Sequence, residues 1–214
     1  MCWSAEVSLL TFLSSAAMCA YLWYRNGSND RAIGLWIFTF SLMQLFEFFM
    51  WINMKNHSLV SKLAHVFLLL QPFVLALALL KLGTIYENIY VKYLLWFIVA
   101  LSTYKIVTAI IYAFYTDRNS NWLSEKGKNC HLIWYFIKNE NKLPFIIRID
   151  FSFAIPLMLA CLCIKPASIG LFYALFGIIT YNVSLFLYGS EMGSIWCWIA
   201  NLLGIFAILS KSII

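Results

Sequence analysis

Residues 39–52 read TFSLMQLFEFFMWI, an apolar run interrupted by Gln44 and Glu47. Its apolar residues extend back to Ala32, giving 21 residues between the turn-forming segments RNGSND and KNHS. About 20 residues at a rise of about 1.5 Å each cross a hydrocarbon layer of about 30 Å. The run is long enough to span, and the placement of two strongly polar side chains inside it is the feature that needs a reason.

The rest of the chain has the same character. Of 214 residues, 63% are apolar, 18% aromatic and 11% charged, whereas a soluble domain is about half apolar and about a quarter charged. Strict apolar–polar alternation is absent, which argues against a membrane barrel. The sequence predicts an all-α, polytopic membrane helical bundle of seven transmembrane helices, a single domain over residues 1–214. The predicted spans are Ala5–Tyr24, Ala32–Ile52, Leu63–Leu82, Tyr93–Tyr115, Phe145–Ile164, Ser168–Tyr188 and Gly193–Ser210. Turn formers punctuate them. The first run begins without a basic leader or a small-residue cleavage site and is expected to be a retained span. No internal repeat joins the first three runs to the last three, which weakens an inverted-repeat reading.

The long connection, residues 116–144, carries five basic and three acidic residues around the short patch HLIWYFI. It is expected to lie at the surface, with Trp122, Trp134 and Tyr135 at headgroup level. With seven spans the termini fall on opposite sides. The amino-terminal, or near, side then receives eight Lys and Arg and the far side six, a weak majority for a cytoplasmic near side. The net charge of +6 comes from scattered residues, so anionic lipid headgroups are expected as partners and nucleic acid is not. A second copy of this chain is a further candidate partner.

Counting along the spans places Glu47 and Asp150 about 8 Å inside the near side, Asn182 about 9 Å, and Gln44, Gln71 and Asn201 about 12 to 14 Å, with Lys105 at about 15 Å. Six spans would thus contribute to one polar layer, on stripes such as Ser102, Lys105 and Thr108, or Thr180, Ser184 and Tyr188. A charge at this depth costs about 2.5 to 3.5 kcal/mol on insertion scales, so it faces protein, a partner or water. Lys105 is expected to pair with Asp150 or Glu47. For Gln44, Gln71, Asn182 and Asn201, interhelical bonding of about 0.6 kcal/mol each is an equal alternative to a binding role. Gln71 precedes Pro72, and Pro156 lies in the fifth span; each removes a backbone bond and can kink its helix.

At the near-side mouth, Cys2, Trp3 and Glu6 are expected at the level of Glu191, Trp196, Cys197 and Trp198. An aromatic belt with two incidental thiols explains this group. A Cys2–Cys197 disulfide or a soft-metal thiol pair is the sharper alternative. No zinc-like spacing occurs and no cofactor is expected.

The segments MCWSAEVS, MQLFEFFMW, LQPF and GSIWCW together resemble a family of small polytopic membrane proteins of unknown function, associated with algae, protists and large DNA viruses. The resemblance implies the seven-span architecture and a near-side location for these motifs, and it implies no chemistry. The bias toward Asn, Lys and Ile would suit an AT-rich viral or protist genome.

A retinal protein would need a lysine within the last span, and 193–210 holds none. The Pro-Gln pairs of PQ-loop carriers are missing. GxSxG and HExxH are also absent, which leans against an enzyme. A transporter or channel-like role for a small solute, ion or proton is the expectation, with Glu47 able to exchange a proton or bind a cation. A lipid-binding or structural, even virion, scaffold is the alternative.

Overall fold

The computed structural model describes residues 4–118, 121–148 and 151–210. Helices dominate: α1 (Ala5–Arg25), α2 (Asp30–Ile52), α3 (Ser58–Leu82) and α4 (Ile89–Ile111), the last continuing into a π-helical turn, Tyr112–Thr116. A long connection follows, with a two-residue hairpin of β1 (Glu125–Lys126) and β2 (Leu132–Ile133) and the single turn α5 (Tyr135–Lys138). Then come α6 (Phe151–Leu162), α7 (Ala167–Tyr188), α8 (Met192–Ala200) and α9 (Leu202–Leu209).

Among the described residues, five helical stretches are long and apolar enough to cross a membrane: Ala5–Arg25, Asp30–Ile52, Ser58–Leu82, Ile89–Thr116 and Ala167–Leu209. Length alone therefore gives five where the sequence predicts seven. The fifth predicted span is shortened because Phe145–Ile147 forms a separate 3-10 turn behind Pro144, leaving the 12 residues of α6. The sixth and seventh lie within one apolar stretch. Gly189 adopts φ +53°, which glycine reaches without a Cβ penalty, and the chain folds back so that α8 packs on α7.

The ends of the elements are set locally. Asn26 takes the left-handed conformation (φ 54°) and its N–H closes α1 on the Leu22 carbonyl, a C-terminal stop. The Asn88 side chain accepts from the Tyr90 N–H and caps α4. α2 is the central rod, packing on α1, α3, α8 and α9, and 61% of its apolar window is buried against 17% for α1. α1 and α4 present large apolar side chains outward, including Leu10, Leu13, Phe97 and Tyr104.

At the far end, turns 26–29, 83–88 and 163–166 meet. Arg25 forms a two-pronged ion pair with Asp30, 2.6 Å on each arm, and donates to the carbonyls of Ala207 and Ile208. Asn29 donates to the Lys165 carbonyl and accepts from the Thr84 N–H. α9 thus ends at the far end and α8 begins at the near one.

The near end is covered by the long connection. Trp122, Leu132, Trp134, Phe136, Leu143 and Ile147 are each no more than 3% exposed. Trp122 and Trp134 do not keep one edge wet, as headgroup anchors would: both are packed inward, Trp122 stacked on Tyr135 at 5.0 Å and Trp134 beside Phe136 at 5.2 Å. An apolar patch too short to span still gains by burial, and here it does so as a plug.

Candidate functional site

Glu47 lies five residues before the end of α2, about 8 Å inside it, and is completely buried. Its Oε1 accepts from the indole Nε1–H of Trp134, at 3.0 Å. Gln44, one turn deeper, and Ser194 on α8 flank the same carboxyl. Glu47 Oε2, both amide atoms of Gln44 and the Ser194 hydroxyl make no hydrogen bond within 3.5 Å among the described residues, although Gln44 and Ser194 both face the Glu47 carboxyl. Each such atom costs about 1 to 3 kcal/mol when left unsatisfied. The group is an acceptor-rich cluster roofed by Trp134, whose indole could not seat above α8 without Gly193, since a Cβ there would stand 2.9 Å from the ring.

The roof is held by polar latches. The Ser124 N–H donates to His57 Nε2 (2.8 Å), so the ring proton sits on Nδ1 and donates to the Asn53 carbonyl (3.0 Å). Ser124 and Ser61 hydroxyls meet at 3.2 Å, and the Trp122 N–H donates to Ser58 Oγ. Lys62 donates to the carbonyls of Asp117 and Arg118. His65 donates from Nε2 to the Ile147 carbonyl and stacks on Phe136 at 5.0 Å, leaving its buried Nδ1 as an acceptor without a hydrogen-bond partner among the described residues. On the α7–α8 side, the Glu191 carboxylate accepts from the Asn129 N–H, the Asn129 Nδ2 and the His131 N–H. Burial lowers the His131 pKa and the neighbouring Glu191 carboxylate partly offsets that.

The expected polar layer assembles in part. Gln44, Glu47, Gln71, Lys105 and Asn201 are all buried, at most 4% exposed. Gln71 lies on α3 with both amide atoms unsatisfied, beside Pro72. Lys105 shares the inward face of α4 with Ser102. Glu47 belongs to neither of the two ion pairs among the described residues, Arg25–Asp30 and Lys138–Glu125, and its carboxyl is met by Trp134. Asp150, the other expected partner of Lys105, lies outside the described residues, as do Cys2 and Trp3. Asn201 is interhelical glue, its Oδ1 accepting from Ser15 Oγ at 2.7 Å and its Nδ2 donating to the Cys197 carbonyl.

Two expected members stand elsewhere. Asn182 is exposed on the outer face of α7, its amide turned back to the Ile178 carbonyl. Thr108 likewise bonds its own helix, at the Tyr104 carbonyl. Of the mouth residues, Trp196 is buried in an aromatic cage with Phe40, Phe153 and Tyr181, and its Nε1 donates to Thr180. Cys197 is a buried free thiol, so the Cys2–Cys197 disulfide does not form. Cys130 is disulfide-bonded, and its partner lies outside the described residues. Trp198 is half-buried at the near end. Among the described residues no three His, Cys, Asp or Glu converge as metal ligands.

The sequence reading gave Trp134, Ser194 and His65 no part in a site with Glu47. Ser194 shares a helix face with Cys197 and Asn201, but nothing in the spacing pointed it at Glu47.

No family model, curated protein or solved structure matches this chain.

Proposed function

We propose that this chain crosses its membrane seven times and carries or conducts a small solute, ion or proton by way of the cluster around Glu47. The alternation of near and far ends along α1, α2, α3, α4, α6, α7 and the α8–α9 rod supports the seven passages. One observation carries the functional reading: Glu47 Oε2, Gln44 and Ser194 are buried without hydrogen-bond partners directly beneath a separate, polar-latched roof. Native proteins retain few such atoms, and those retained call for a water, an ion or a substrate. A purely structural bundle gains nothing from this arrangement, because apolar residues of similar shape would pack the same interface without the penalty.

In this reading the conformation is occluded, with the roof closed on the near side. Access requires the roof to shift locally at Trp134, which breaks its bond to Glu47 and opens part of the apolar plug while the helices stay in place. The disulfide-bonded state of Cys130 supports an oxidising compartment on the near side, and we propose that orientation in place of the one suggested by the eight-to-six charge count.

The test is flux in reconstituted vesicles for protons, alkali cations and small polar solutes. Glu47→Gln keeps the shape, so insertion should be retained while flux falls to the level of empty vesicles. Wild-type flux no higher than that of empty vesicles, or equal flux in the variant, would overturn the proposal.

A further inference from the structure

A second feature of the near end lies apart from the Glu47 cluster and does not depend on the transport reading. Between α1 and α7, with α8 as its floor, runs a groove of about 780 Å³. Its walls within the helices are apolar, from Val183 and Leu187 on α7 to Ile195 and Ile199 on α8. Ile199 is seven residues beyond the start of α8, so the groove reaches about 10 Å along it. Its near end is roofed by the hairpin residues Lys128 and His131.

We propose that this groove is a binding site for one glycerophospholipid, with an acyl chain along α8 and the phosphate beneath Lys128. Three observations argue for that occupant. An apolar groove opening between two helices at membrane depth is bathed by lipid, and burial of a chain there is favoured by shape. Lys128 is exposed at the roof and carries the charge that complements a phosphate. The nearby acid, Glu191, keeps its charge but turns its oxygens to the Asn129 and His131 N–H groups, and Lys128 belongs to neither of the ion pairs among the described residues. Between these ends, the Ser184 hydroxyl lines the groove, is 1% exposed and has no hydrogen-bond partner among the described residues. It sits one helical turn below Tyr188, between the apolar walls and the basic roof.

Native mass spectrometry of the full chain in detergent, titrated with phosphatidylglycerol or with diacylglycerol of the same chains, tests this. One phosphatidylglycerol is expected to bind about fivefold more tightly than diacylglycerol, the factor that one basic group near a membrane surface contributes. Lys128→Gln should bring the phospholipid down to the diacylglycerol value. Ile199→Trp, which fills the groove, should weaken both, with an unchanged melting temperature as the check that it folds. Equal binding of the two lipids, or phospholipid binding unaffected by Lys128→Gln, would reduce the groove to general lipid contact and overturn the proposal. So would a lipid-free dimer, which would assign the groove to a second copy of the chain.

Discussion

The two ends of the bundle handle polarity in opposite ways. At the far end Arg25, Asp30, Asn29 and Thr84 form a closed set in which charges and amides find partners on neighbouring turns, with Arg31 Nε the exception, its guanidinium lying over the Trp23 ring. At the near end the polar atoms of Gln44, Glu47 and Ser194 stay unsatisfied while the loop above them is well bonded to the rims. The far end has the chemistry of a clamp. The near end, in the reading proposed above, has that of a cap over a bound solute or ion.

The largest effect is expected at the clamp. Arg25→Met leaves the Asp30 carboxylate without its cation and frees two carbonyls of α9, and loss of one member of such a pair costs up to about 3 kcal/mol. Thermal unfolding in detergent should show a clear drop. If it does not, the far end is no more fastened than the near one and the contrast fails.

The next effect belongs to the roof. Trp134→Phe keeps most of the ring and removes the Nε1–H that Glu47 accepts, an expected loss of about 1 to 3 kcal/mol. Hydrogen exchange should rise across 121–147 and stay unchanged at 25–30. Equal change at both ends would mean that the roof and the clamp are one cooperative unit.

The smallest effect is one of pH. The pKa of His131 in the folded protein lies below its ordinary value of 6.5, because burial disfavours the cation. The unfolded chain therefore takes up a proton first as pH falls, and the stabilisation held above about pH 6.5 is lost progressively below it. Protection of the 125–133 hairpin amides, taken relative to their intrinsic exchange at each pH, should fall as pH drops below about 6.5, and His131→Gln should remove that dependence.

Much of the fold was legible because apolar runs and turn formers are local signals. The first four helices begin and end within a few residues of the predicted spans, and the extension of α3 back to Ser58 reflects a polar first turn that hydropathy ignores. The shortened α6 and the break at Asn201 were not legible, since Pro144 and Asn201 act through local backbone geometry that apolar counts do not register. Within the site, Gln44 and Glu47 stood out because polarity inside an apolar run is rare. Asn182 shows the limit of that signal: an amide can satisfy itself on the carbonyl four residues back and face outward. Trp134 was hidden for the opposite reason, because which loop residue reaches a distant helix is set by tertiary packing.

The central claim, that the near end opens while the far end stays shut, is tested most directly by two thiols of matched burial. Cys197, fully buried, lies on α8 three residues past Ser194, under the roof, while Cys161, 1% exposed, lies near the far end of α6. Labelling of the native protein with a small water-soluble maleimide, read residue by residue by peptide mass spectrometry, should modify Cys197 at a measurable rate that Trp134→Phe increases. Cys161 should react only on global unfolding. Equal rates at the two thiols, or a Cys197 rate indifferent to Trp134→Phe, would contradict an opening roof.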